Sequence, residues 1–178
     1  MTMNDQIDKN CDCDETSKKI LIEYLYLDLE SCDRCIGTDK VLDEVMLELT
    51  PVFNEAGYKV NIQKIEVKTE EIASLYQFIS SPTIRVNGKD ICTNVKENNC
   101  GCCSDISQAD VDCRIFEYEG KDYEVPPKEM ITNEILSKVF GGCCSEKPVV
   151  KEYQLPHNLK VFYNGKRANE CMCKEKCC

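Results

Sequence analysis

The chain contains no tryptophan and a single histidine, His157. One histidine cannot supply the histidine pair of a mixed zinc site. No Ser-His-Asp arrangement and no glycine-rich phosphate loop is visible. His157, in Leu155-Pro156-His157-Asn158, reads as an ordinary surface residue. No stretch approaches the ~18 apolar residues needed to cross a bilayer. Residues 1–19 hold neither an apolar run nor a cleavage-site pattern, so no signal peptide is expected. Positive charge is also short. The net charge of -10 repels phosphate backbones and anionic lipid surfaces. The expectation is a cytoplasmic protein with no nucleic-acid and no membrane partner. No internal repeat is visible.

Cysteine is what the chain has in excess, with 15 in 178 residues. That share, roughly 8%, is where a disulfide scaffold is normally inferred. A scaffold needs an oxidising compartment, and nothing here predicts export. The odd count also argues against a fully paired framework. Thiols kept in this number point to metal binding or redox work. A lone cysteine is usually a small core hydrophobe, but most of these lie in polar, glycine-containing clusters.

The hydrophobic pattern predicts an α/β domain with cysteine-rich appendages. Residues 1–19 read as a disordered tail holding Cys11 and Cys13. Ile20 to Leu29 is a nearly continuous apolar run that suits a buried strand. Leu42, Val45, Leu49, Val52 and Ala56 recur at helical spacing, with Pro51 expected to kink or split the helix. Lys59 to Val67 reads as a second strand. Thr69 is the expected cap of a helix running to about Ile79. Thr83 to Val86 is a short strand, and Asn87-Gly88 a strong hairpin signal. Residues 94–112 lack periodicity and read as an inserted loop. Glu119-Gly120 joins a further hairpin, and Pro126-Pro127 opens a helix over Lys128 to Phe140. Its expected core residues are Met130, Ile135, Leu136 and Val139, and Gly141-Gly142 its cap. Leu159 to Tyr163 reads as another strand or a docking segment. The expected division is a tail over 1–19, the α/β domain over 20–142 and a cysteine-rich extension over 143–178.

The first chemical constellation is Cys32-Asp33-Arg34-Cys35, between a strand and a helix. A thiol at a helix start meets unpaired N–H groups and the positive end of the dipole, which favour thiolate. Arg34 adds positive charge and Asp33 opposes it. Two intervening residues let both sulfurs meet, as a disulfide or as ligands to one metal. Half of a structural zinc site fits the same spacing, but needs a second C-x-x-C or a histidine pair. The second constellation is Ser80-Ser81-Pro82-Thr83, just before the hairpin strand.

With these residues the chain resembles the thioredoxin-like superfamily, in which a cis-proline precedes the third strand and lies against the C-x-x-C. Pro82 stands where that proline would stand. The resemblance covers roughly the middle two-thirds of the chain. It implies a mixed sheet flanked by helices, with Cys32 as the exposed attacking thiol and Cys35 as the resolving one. Ser81 and Pro82 would then form the substrate-facing wall. The Trp-Cys-Gly-Pro-Cys signature of thioredoxin itself is absent. The sequence is more similar to a bacterial family of thioredoxin-like appearance, DUF2703, with a C-x-R-C after its first strand and a cysteine-rich loop like Cys100-Gly101-Cys102-Cys103. Arsenic or other heavy-metal handling is what that resemblance and the thiol chemistry share.

Apart from Cys11 and Cys13 in the tail, and from Cys92 and Cys113, the remaining cysteines form close clusters: Cys100, Cys102 and Cys103; Cys143 and Cys144; Cys171, Cys173, Cys177 and Cys178. C-x-C and C-C spacings suit soft thiophilic ions more than a zinc knuckle, although passive tails in a reducing cell are the plain alternative. All of these cysteines, with Cys32 and Cys35, are candidate ligands for As(III), mercury or zinc. The leading reading is thiolate capture of a soft metal or metalloid. Cys32 attacks, Cys35 closes the chelate, and Cys102 with Cys103, or Cys177 with Cys178, accepts or resolves the product. The rivals are a thiol-disulfide oxidoreductase with a disulfide substrate and a redox partner protein, and a structural zinc module.

Overall fold

The computed structural model describes residues 18–92, 94–141 and 152–175. Strand β1 (Lys19–Tyr26) leads to helix α1 (Asp33–Glu55), strand β2 (Lys59–Glu66) and helix α2 (Glu70–Leu75). Strands β3 (Thr83–Val86) and β4 (Lys89–Asp90) follow. Then come β5 (Lys96–Asn99), α3 (Gly101–Ser107), β6 (Asp112–Tyr118), β7 (Lys121–Tyr123), α4 (Lys128–Phe140) and α5 (His157–Glu175). The first sheet has the order β2-β1-β3-β4. Strands β1 and β2 are parallel, and β3 is antiparallel to both β1 and β4. This mixed α/β fold is consistent with a thioredoxin-like arrangement. A second, antiparallel sheet has the order β5-β6-β7.

Local chemistry accounts for most of these elements. Ile20, Ile22 and Tyr24 alternate along β1 and face one core with Leu42, Val45, Met46, Leu49 and Phe53 of α1 and Ile131 and Ile135 of α4. The stripe on α1 thus turns onto Phe53, while Val52, expected inside, is half exposed. On α4, Met130 and Ile135 are buried as expected; Leu136 and Val139 pack only partly buried against the core. Thr69 caps α2 by accepting from the Ile72 N–H at 3.3 Å. Asn87 and Gly88 both take positive φ, 51° and 77°, which a tight hairpin turn between twisted strands requires.

Five expectations need correction. Pro51 neither splits nor ends α1, which runs on for 23 residues. The carbonyl left without its donor is that of Leu47, a residue 78% exposed, so solvent can satisfy it. Helix α2 stops at Leu75, well short of Ile79, because Gln77 turns to a φ of 47°. Residues 94–112 are not a loop; they carry β5 and α3. Leu159 to Tyr163 is not a strand. It lies in α5, where Leu159, Phe162 and Tyr163 fall on one helical face and are buried. Gly141 caps α4 as expected, at a φ of -71°. The tail expected before β1 lies outside the described residues up to residue 17, and Lys19 already belongs to β1. Among the described residues, no helix is long and apolar enough to cross a membrane.

Helix α5 docks on α3. Leu159, Phe162 and Tyr163 join a second core with Leu25, Leu27, Val67, Phe78 and Val111. Asn169 donates to the Ile106 carbonyl at 2.9 Å. A Cβ on Gly165 would collide with the backbone carbonyl of Ser107, so the helices approach as closely as a bare Cα allows. Gly165→Ala should therefore destabilise the protein by about 1–3 kcal/mol, the usual cost of overpacking. Gly101→Ala, whose Cβ would meet nothing within 4 Å, should be neutral or stabilising. Urea unfolding of the two variants checks this; equal midpoints would refute the close docking.

Candidate functional site

The site begins in the turn before α1. The Asp28 carboxylate accepts from the N–H groups of Glu30, Ser31 and Cys32 at 3.0, 2.6 and 3.2 Å. This side-chain turn delivers the chain to α1 with Cys32 as N-cap, in extended backbone and with no side-chain cap bond. Cys35 lies three residues on. Tyr24 donates to the Cys35 carbonyl at 2.7 Å. The Ser81 hydroxyl lies 3.3 Å from the Cys35 sulfur and accepts from the Leu27 N–H at 3.1 Å. With that N–H accepted, the hydroxyl proton is free to point at sulfur. The Ser81–Pro82 peptide is cis, and both residues are buried.

Helix α3 repeats the pattern. Cys100 is its N-cap, extended and without a side-chain cap bond, and Cys103 lies three residues on. Its sulfurs meet those of α1: Cys103 Sγ is 3.9 Å from Cys32 Sγ. The sulfurs of Cys32, Cys100 and Cys103 all lie within 4.8 Å of one another. All three residues are at most 2% exposed. Cys113, on β6 opposite Asn98, is buried in the same cluster.

These thiols titrate as a set, since each shift is caused mainly by another sulfur. Cys100 is lowered, first by the Cys103 thiol and then by those of Cys113 and Cys32. Cys103, Cys32 and Cys113 are raised, each chiefly by its bond to Cys100. Cys100 is thus placed as the acceptor of the set, with its neighbours as donors. Cys35 is lowered by the Cys32 thiol and, against its burial, by Ser81.

Several expected roles are redrawn by this geometry. Cys32 is not the exposed thiol that the resemblance implied; it is wholly buried and held as a thiol. Of Cys102 and Cys103, both expected to accept or resolve the product, Cys103 meets Cys32 and Cys102 does not. Cys102 is partly exposed and its thiol faces the Asp33 carboxylate at 3.9 Å. Arg34 is not positioned as a charge for the thiolates. It donates to backbone carbonyls of the second sheet and to Glu124. Ser81 and Pro82 form a buried wall. His157 opens α5 and is exposed, as expected. Cys143, Cys144, Cys177 and Cys178 lie outside the described residues, as do Cys11 and Cys13; Cys171 and Cys173 fall within the span of α5. The spacing Cys100-x-x-Cys103 was itself a second C-x-x-C, hidden by the more conspicuous adjacent pair. Cys113 carried no sequence signal, since it joins the site only through strand pairing.

A mixed α/β fold, consistent with a thioredoxin-like arrangement and holding a buried three-cysteine cluster, is the class this geometry defines. The model of the family described as Domain of unknown function (DUF2703) matches residues 20–135, and the chain belongs to that family. The match includes Cys32, Cys35, Pro82, Cys100, Cys103 and Cys113. No match was found among curated proteins or solved structures.

Two measurements test the geometry. In the folded, reduced protein, Cys102 should be alkylated before Cys32, Cys100, Cys103 and Cys113, because it is partly exposed and they are buried. Mass-spectrometric mapping that finds Cys32 labelled first would contradict the buried cluster. The second concerns pH. Burial pushes the Cys92 thiol up to about 11. The unfolded chain releases that proton near pH ~8.5. The folded state therefore holds it more tightly, and the stability this adds is lost as pH rises from about 8.5 towards 11. Urea midpoints of the metal-free protein should fall across that window, and Cys92→Ala should flatten the slope; parallel curves would refute the assignment.

Proposed function

We propose that the protein captures a trivalent thiophilic metalloid, As(III), in the cluster of Cys32, Cys100 and Cys103. The observation that carries this reading is the mutual approach of three buried sulfurs with no carboxylate or imidazole among them. Three sulfurs bonded at ~2.3 Å to one As(III), whose lone pair holds the S–As–S angles near ~95°, lie roughly 3.4 Å apart. From the Cys32–Cys103 separation of 3.9 Å, small side-chain rotations reach this spacing. Thiolates select soft ions over hard ones.

Charge favours a trivalent guest. Three thiolates around As(III) make a neutral unit, whereas a divalent ion would leave a net negative charge in an apolar pocket, at a desolvation cost. The reaction is a condensation. Arsenous acid meets the Cys100 thiolate and the thiols of Cys103 and Cys32; three As–S bonds form, two hydroxyls leave as water with the thiol protons, and the third leaves as water with a proton taken from solvent. No electrons move. The Cys100 thiolate is the natural first nucleophile, with the thiols of Cys103 and Cys32 closing the second and third bonds. Such a site needs reduced cysteines, which suits the cytoplasm.

A structural zinc site is the second reading, favoured by the two C-x-x-C pairs and by Cys113 as a fourth sulfur. Thiol-disulfide exchange is less well supported, because no partner disulfide reaches a wholly buried Cys32.

Titration of the reduced, metal-free protein with arsenite and with zinc, alongside an insulin-reduction assay, separates the three. We expect one tight arsenite site showing three sulfur neighbours by X-ray absorption. Serine at Cys32, Cys100 or Cys103 should each weaken it at least ten-fold, about 1.4 kcal/mol. Cys102→Ser should leave it unchanged, and deleting residues 171–178 should lower only the total stoichiometry. Zinc bound by four sulfurs, or insulin turnover, would overturn the proposal.

A further inference from the structure

Between Cys32 and Cys35 stands Arg34, 5% exposed. Its guanidinium spends its donors on the second sheet. Nη2 donates to the Asn99 carbonyl at 2.7 Å and to Glu124 Oε1 at 2.6 Å. Nη1 reaches the carbonyls of Cys113 at 3.3 Å and Asn98 at 3.4 Å. Asn98 and Asn99 belong to β5, Cys113 to β6, and Glu124 follows β7. One side chain at the start of α1 thus touches every strand of the second sheet or its immediate continuation.

The choice of acceptors is informative. Asn99 is bonded directly to Cys100, and Cys113 is itself in the thiol cluster. Both contacts fix main-chain atoms within one residue of a sulfur-bearing side chain. A second contact keys the same segments together. A Cβ on Gly37, one turn along α1, would lie 2.6 Å from Val125, so the chain beyond Glu124 packs tightly on α1. A lysine could not replace the arginine. Its single ammonium cannot serve four acceptors spread along a planar fork.

From this geometry we infer that Arg34 is the positioning residue that assembles the capture site, holding Cys100, Cys103 and Cys113 in register with Cys32. The inference rests on the reading of the cluster as the capture site, and concerns what brings its halves together. Arg34 bonds to none of the sulfurs. It acts through the backbone of β5 and β6, which makes the assembly indifferent to the side chains of Asn98 and Asn99.

The test compares wild type, Arg34→Gln, Arg34→Lys and Glu124→Gln as full-length reduced chains. A thiol-bridging reagent, dibromobimane, is applied to metal-free protein until the buried thiols react, and mass spectrometry scores the Cys32–Cys103 bridge as a fraction of all modified Cys32, so that differences in exposure cancel. Arsenite titration and X-ray absorption then count the sulfurs around arsenic. Arg34→Gln should cut the Cys32–Cys103 bridge at least five-fold and weaken arsenite at least ten-fold. The sulfur count should drop from three to two. Glu124→Gln should lose only two- to three-fold, because its carboxylate is 61% exposed and water can replace it. Arg34→Lys should behave like the glutamine variant despite keeping the charge, and serves as the decisive variant should Arg34→Gln fail to fold. Wild-type bridging and a three-sulfur count in folded Arg34→Lys would overturn the inference. If bridging depends on Arg34 while wild type gathers no three-sulfur arsenic, the capture reading falls and the positioning role stands.

Discussion

Sulfur burial is the constraint on which the rest of this structure turns. Cys32, Cys35, Cys100, Cys103 and Cys113 share one core with Leu25, Leu27, Val67 and Phe78. A thiol is apolar enough to sit there, but a thiolate is not, and several thiolates together would repel one another in a medium with little screening. The cluster answers by sharing protons, with Cys100 as acceptor and its neighbours as donors. The protonated cluster is therefore a passable hydrophobic core, and under the capture proposal the same atoms would become a set of ligands once the protons are given up. Packing and chemistry here use the same residues, which explains why so many cysteines are folded into the body of the domain.

The second sheet is not an ornament on the first. It is fastened from two sides by arginines that are both almost wholly buried. Arg34 grips it from α1. Arg114, on β6, pairs with Asp90 through two bonds of 2.8 Å and donates its own N–H to the Ser81 carbonyl at 2.8 Å. Removing Asp90 leaves the buried Arg114 guanidinium without its carboxylate, and removing Arg34 leaves the carbonyls of the second sheet without their donor, so each fastening is costly to break. The two sites of attachment also fall at the two places that matter, beside the Cys32 turn and beside the Cys35–Ser81 contact.

What could be read from the sequence was whatever local chemistry decides. The apolar run of β1, the Asn87-Gly88 turn, the Thr69 cap and the Pro126-Pro127 start of α4 each announce themselves over a few residues. The resemblance built on Cys32, Cys35 and Pro82 led to the family. Helix α3 gave no such signal. It has seven residues, and its buried face consists of Cys103 and Ser107 rather than any recognised hydrophobe. A pattern search that scores cysteine as a ligand misses it as a core residue. Helix α5 was misread for the opposite reason, since Leu159 to Tyr163 is apolar enough for a strand and too short to show its period. Arg34 and Cys113 became meaningful only in three dimensions, because their partners come from β5, β6 and the chain beyond β7.

The N-cap placement of both Cys32 and Cys100 has a mechanical consequence. The two residues are far apart in the chain, so any guest bonded to both closes a covalent ring through the polypeptide. In chain-entropy terms a ring of roughly 70 residues removes about 4 kcal/mol worth of disorder from the unfolded state. A captured metalloid would act as a staple as well as a cargo, and the loaded protein would resist unfolding and proteolysis far better than the empty one. Occupancy would then be legible to the rest of the cell as lifetime, with the free form turned over and the filled form persisting.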